Sequence, residues 1–221
     1  MFHFTFFFNK IFSFTISSFI LSIHKTKIQE TIMNVKLPKN IPIFVDLDGT
    51  LIFTDILLEQ ILLYLKKNPL NFINILKWIF IGISHLKNEI RKVVEIQVEN
   101  LPYNKELISW IRSQKNQGNK IYLCTATNVN VANKINDYLN LFDDVFGSNE
   151  FINLKGKKKL INIYEVTNNS KFCYVGDSKP DIEVWKKAKY AVLVNVKKKL
   201  TTKVSSCSTI INTFNNKKSN F

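Results

Sequence analysis

Three short apolar runs in this chain each end abruptly in polar residues. IPIFVD runs into Asp46-Leu47-Asp48-Gly49-Thr50, KIYLCTAT ends on Thr125-Ala126-Thr127-Asn128, and KFCYVGDS runs into Gly176-Asp177-Ser178-Lys179-Pro180-Asp181. Helical patterns separate the runs. Buried strands alternating with helices indicate an α/β fold with a parallel sheet. In such a sheet the carboxyl ends of the strands share one edge, and ligands bind in the crevice there. Three clusters far apart in sequence are thereby brought together. One Asp-Gly after a strand is an ordinary turn signal; three such endings on successive strands point to a site.

A fourth run, YAVLVNV, completes the strands expected from the pattern. The helical stretches are DILLEQILLYLKK, then PLNFINILKWIFIGISHLKNEIRKVVEIQVEN after a break at Pro69, then NKELISWIRSQKNQG with Gly118 as its C-cap, NVANKINDYLNLF, KKKLINIYEV and DIEVWKKAK. Residues 1–32 differ from the rest: rich in Phe and Ser, with no acid before Glu30. Their apolar part, Ile11 to Ile23, is short for a bilayer span, which takes about 20 residues. It reads either as a signal-like or anchoring segment or as an over-long gene start ahead of Met33. The expected organisation is therefore an N-terminal extension (1–32), a core (33–55 and 103–200), a helical insertion (56–102) and a polar flexible tail (201–221). Within the insertion, Asn71 to Ser84 is apolar nearly all round. It is either a buried helix or a surface that touches a membrane or an apolar partner.

Composition narrows the partners. The 221 residues carry 31 Lys+Arg against 17 Asp+Glu, a net charge of +14, with Lys concentrated in KGKKK and VKKKL. A basic excess favours phosphate esters, nucleic acid or an anionic membrane face. No aromatic-interleaved basic face or nucleic-acid module is present, so nucleic acid is not an expected partner. The three cysteines show no metal-ligand spacing and read as free thiols of a reducing compartment, which fits a cytoplasmic or membrane-associated protein.

The residue types at the strand ends define the chemistry. Asp46, Asp48, Asp177 and Asp181 bring up to four carboxylates together, and like charges this close cannot all ionise without a counter-charge. An oxygen-only ligand set suits a hard cation such as Mg2+, which also accepts a phosphate oxygen. A carboxylate nucleophile beside a cation fits phosphoryl transfer. Asp48, two residues after Asp46, lies on the same side of an extended segment and can serve as general acid and base. Thr125 offers a hydroxyl and backbone N–H groups to phosphate oxygens, and a lysine supplies the remaining positive charge.

DLDGT, LCTAT, a lysine segment and GDSKPD, in that order between Pro42 and Val196, resemble the four motifs of the haloacid dehalogenase (HAD) superfamily of phosphohydrolases. The resemblance implies a Rossmann-like parallel sheet with a small helical cap inserted after the first strand, as in the phosphoserine-phosphatase-like branch. It implies Asp46 as nucleophile and Asp48 as general acid/base. Thr125 and Ala126 would bind phosphate, and Mg2+ would be held by Asp46, Asp48 (through its backbone carbonyl), Asp177 and Asp181. The phosphate-binding lysine is Lys159 or, alternatively, Lys155. Asp55, nine residues after Asp46, stands where that branch carries an acidic substrate-recognition residue, here Asp in place of the more usual Glu; it also stands where a helix N-cap would.

A closer similarity is to the HAD-type domain that precedes UbiA-family membrane prenyltransferases, carried by DLDGTLIFTDILLE, LPYN, TATN, FDDVFGS, NLKG and GDSKPDIEVWKKAKYAVLVN. This leads to two expected functions. One is a Mg2+-dependent phosphatase acting on a phosphorylated small molecule through an aspartyl-phosphate. The other is an accessory domain docking on a membrane-embedded prenyltransferase. Halide displacement is disfavoured, because it needs no metal-type acid set at the fourth motif.

Overall fold

Ile43–Val45, strand β1, lies at the centre of a six-stranded parallel sheet and is fully buried there. The computed structural model describes residues 36–149 and 152–215, so the expected extension over residues 1–32 lies outside the described residues. The chain divides into two units, Met1–Leu37 and Pro38–Phe221, and the sheet and its helices all belong to the second.

The other strands are β2 (Ile121–Asn128), β3 (Asp144–Ser148), β4 (Cys173–Gly176), β5 (Tyr190–Val194) and β6 (Thr209–Phe214). Their spatial order is β3-β2-β1-β4-β5-β6, and every pairing is parallel. The chain winds outward on one side of β1 through β2 and β3, then returns to β4 on the other. The order therefore reverses between β1 and β4, which is where an open α/β sheet forms a ligand crevice. Phe44, Phe172, Tyr174 and Trp185 fill the core around this pair, with Phe44 stacked on Tyr122 at 4.9 Å.

Between β1 and β2 the chain forms α1 (Ile56–Lys67), α2 (Phe72–Ile81), α3 (Ile83–Val93) and α4 (Lys105–Asn116). Asp55 caps α1, its Oδ1 accepting the Leu58 N–H at 3.1 Å. Past α4, Gly118 takes φ 90°, as expected of a residue just beyond a helix end. The remaining helices are α5 (Val129–Leu139), α6 (Lys157–Thr167), α7 (Ile182–Trp185) and α8 (Lys198–Ser205).

Three expectations are corrected. The sheet has six strands among the described residues, not four. β3 begins on an exposed aspartate and is otherwise half-buried, because it lies at the sheet edge. Residues 201–214 are not a loose polar tail. They complete α8 and form β6, which buries Ile210, Ile211 and Phe214 and pairs with β5. Its threonines and asparagine hide the apolar pattern of an edge strand that is wet on one side. Finally, the apolar run Asn71 to Ser84 is not a buried helix. Gly82, at φ 145°, breaks it into α2 and α3, and most of the large apolar side chains of α2 face out. No helix among the described residues is long and apolar enough to cross a membrane.

Candidate active site

The β1 ladder runs one residue past the strand, where the Asp46 N–H donates to the Val175 carbonyl at 3.0 Å. This fixes the Asp46 side chain at the switch point. The chain then turns sharply: the N–H groups of Thr50, Leu51 and Ile52 all donate to the Leu47 carbonyl, at 2.9 to 3.2 Å. The turn needs Gly49 at φ 74°, a conformation nearly free of cost only for glycine. A Cβ at Gly49 would also fall 2.4 Å from Asp177 Oδ2. Backbone of the first motif and carboxylate of the fourth are thus packed directly together.

Lys159 is the organising cation. It sits in the first turn of α6, buried, with Nζ 2.8 Å from Asp46 Oδ1, 2.8 Å from the Tyr174 hydroxyl and 3.7 Å from Asp181 Oδ1. Burial works against its charged form, but Asp46 and Asp181 outweigh burial and hold it protonated. Of the two candidate lysines, only Lys159 makes this contact; Lys155 lies exposed on the cavity wall.

Asp181 is fully engaged. Its Oδ1 accepts from the Tyr174 hydroxyl at 2.6 Å, and its Oδ2 accepts from the N–H groups of Asp177 and Ser178 and from Ser178 Oγ, at 3.1 to 3.3 Å. It therefore braces the fourth loop. Asp177 differs: its Oδ1 is buried and has no hydrogen-bond partner. An orphaned buried carboxylate oxygen is costly unless a cation meets it.

Asp46, Asp177 and Asp181 present ligand oxygens within 4.8 Å of one another. With Asp48, four carboxylates face one ammonium. Burial pushes Asp46 up to about 7, Lys159 pulling it back and Asp181 adding to the rise; burial and Asp181 push Asp177 up to about 6. This excess of negative charge, the oxygen-only donor set and the orphaned Asp177 oxygen fit a hard divalent cation such as Mg2+. The Asp48 side chain is not part of that cluster. Thr127 Oγ1 donates to its Oδ2 at 2.6 Å and the Ile56 N–H to its Oδ1 at 2.9 Å. Burial raises its pKa, with Thr127 and Ile56 opposing.

A cavity of about 670 Å³ opens above these groups. Asp46, Asp48, Ala126, Lys159, Asp177 and Asp181 line it, together with Asp55 at the start of α1. Thr125 is buried beneath it and receives the Thr127 N–H on its hydroxyl at 3.0 Å. Two contributors were not identified from sequence. Tyr174 reads there as a core aromatic of β4, and Thr127 as one more polar residue after β2. Lys87 and Arg91 of α3 also reach the cavity wall.

The metal-free protein should lose stability as pH rises. In the folded state Asp46 and Asp177 keep protons that the unfolded chain has released above about 4, so the folded chain binds more protons between pH 4 and 7 and stability falls across that window. A cation takes the place of those protons. Mg2+ at about 100 times its Kd should add about 2.7 kcal/mol, roughly 5–10 °C in Tm, at pH 7.5, and far less at pH 5. Thermal melts with and without Mg2+ at the two pH values check this; an equal gain at both would put the cation elsewhere.

No family model matches the chain. An uncharacterised protein of Sinorhizobium fredii (strain NBRC 101917 / NGR234), y4nM, is 32% identical over 181 residues, which are 82% of this chain but 35% of that protein. The chain thus spans about a third of the length of this curated relative. Among solved structures, apo phosphoserine phosphatase matches with a TM-score of 0.56 at 18% identity, over 80% of this chain and 94% of that one. A HAD family hydrolase from Salmonella enterica subsp. enterica serovar Typhi matches with a TM-score of 0.58 at 14% identity, over 81% and 68%. The six parallel strands and flanking helices are therefore a HAD-like α/β fold.

Proposed function

We propose that the protein is a phosphohydrolase that cleaves a small phosphomonoester through an aspartyl-phosphate on Asp46. The observation that carries this reading is the placement of Asp46: at the end of the central strand, on a cavity wall, held by buried Lys159 and grouped with Asp177 and Asp181. The phosphohydrolases that share the fold support it.

An Asp46 oxygen attacks phosphorus, and the bond from phosphorus to the ester oxygen breaks. Asp48 donates a proton to that leaving oxygen, then takes one from the water that attacks phosphorus and releases phosphate. Its burial-raised pKa suits the first step, and the Thr127 hydroxyl and Ile56 N–H aim its carboxyl. Lys159 and the backbone at Thr125 and Ala126 bind the phosphate oxygens. Asp46, Asp177 and the Asp48 carbonyl would hold Mg2+, with Asp181 bracing them, and the bound ion would offset the charge of carboxylates and phosphate. Residues 56–102 act as the cap. Lys87 and Arg91 on the cap side of the cavity favour a substrate with a second anionic group, and Asp55, which lines the same cavity, an accompanying cationic or hydroxyl group.

The test is phosphate release from an aryl phosphate by the full chain. Release with Mg2+ that stops on chelation supports the reading. Mg2+ binding without release, from the aryl phosphate or a panel of phosphomonoesters, would favour the second reading, an accessory domain on a membrane-embedded UbiA-type prenyltransferase. The exposed apolar face of α2 is the observation in its favour.

A further inference from the structure

The outer face of α2 has no counterpart in the catalytic chemistry. Phe72, Ile73, Leu76, Ile79, Phe80 and Ile81 are all exposed, Phe80 at 90% and Ile81 at 68%. Ile75 is buried on the opposite side, and Trp78 stacks on Tyr64 at 5.5 Å, fastening the helix to α1. Gly82 turns the chain sharply after Ile81, which leaves Phe80 and Ile81 at a corner of the insertion. A solvated helix face would carry charge, but from Leu70 to Ser84 the only charged residue is Lys77.

Cations flank this apolar helix along the chain. Lys66 and Lys67 close α1, and Lys87, Arg91 and Lys92 lie on α3. From Gln60 to Val93 the sole acid is Glu89, which pairs with Lys92 at 2.7 Å. We infer that α2 docks this protein on an anionic lipid surface, its apolar side chains entering the acyl boundary and the lysines that flank it meeting the headgroups. A helix of 10 residues is about 15 Å long, too short to span a bilayer, so it lies in the interface. The basic flanking segments, with almost no acid, select an anionic lipid surface over an apolar protein groove.

The test is sedimentation of the full chain with vesicles of phosphatidylcholine alone and of phosphatidylcholine mixed with phosphatidylglycerol, beside the double variant I73D/F80D. Both positions are exposed, so the thermal melt should not move. The wild type should bind the anionic vesicles, more weakly as salt rises, and the double variant should bind at least about tenfold more weakly. Residues 1–35 are common to both proteins, so any binding of their own cannot produce that difference. Equal binding by the variant, no binding by the wild type, or salt-independent binding to phosphatidylcholine alone would overturn the proposal. Self-association lost in the variant, without vesicle binding, would also overturn it and assign the face to a second copy of the chain.

Discussion

Asp46→Asn should lower phosphate release by at least about 10⁴-fold while leaving the fold in place. The amide matches the carboxylate in shape, and its oxygen can still accept the Lys159 ammonium that Asp46 Oδ1 accepts at 2.8 Å. What it loses is nucleophilicity. It also removes one of the three clustered carboxylates, leaving Asp177 and Asp181, so the loss of the ion pair is offset by relief of like-charge repulsion. The net stability change should stay within about 1 kcal/mol. Two measurements check this. Steady-state phosphate release gives the rate. Rapid-quench intact mass of the wild type should show a species heavier by one phosphoryl group, absent from the variant. Full activity in Asp46→Asn would remove the nucleophile assignment. A lost rate with a large drop in Tm would mean that Asp46 serves structure first.

The positions of Asp46, Asp48 and Asp177 could be read from sequence because each lies within three residues of the end of an apolar run. A strand buried on both faces needs no alternation, so its end shows sharply as the first polar residue. The sequence narrows the lysine to Lys159 or Lys155, and Lys159 fits the resemblance because Ile163 one turn later marks the buried side of α6. Tyr174 was not legible. Its hydroxyl partners lie 15 residues before and 7 after it, and inside KFCYVG it has the same pattern as any core aromatic. Asp55 shows the limit of a single polar residue before a helix: the geometry shows both the cap it makes and its place on the cavity wall, and sequence alone does not separate the two. β3 and β6 escaped because edge strands mix polar with apolar residues. The apolar run of α2 misled for the opposite reason. Hydropathy reports what a side chain avoids, not whether the fold supplies a neighbour to cover it, and here Gly82 turns the chain away before one is met.

Lys159→Met should cost about 3–5 kcal/mol, because it leaves the buried Asp46 and Asp181 carboxylates without their cation. For a chain of this size that is roughly 6–20 °C in Tm. The pH dependence separates this cause from loss of packing. A packing defect costs the same at every pH, whereas an uncompensated carboxylate becomes tolerable once protonated. Burial already raises Asp46 to about 7 with Lys159 present and opposing. Without the lysine that opposition is gone, and the folded variant takes up its proton at still higher pH. The penalty should therefore be full only at alkaline pH, above the variant's own raised Asp46 pKa, and shrink as pH falls to about 7, the variant gaining stability relative to wild type across that window. Phosphate release should drop by roughly 10²–10³-fold, the scale of losing one preorganised charge aimed at the transferring group. Lys155→Met removes only an exposed ammonium, and its stability should stay within about 0.5 kcal/mol of wild type. If Lys155→Met carried the larger loss of phosphate release, the phosphate-binding role would pass to Lys155, and Lys159 would be left as a structural counter-ion for Asp46 and Asp181. If the Lys159→Met penalty were independent of pH, the buried ion pair would not be what the lysine contributes.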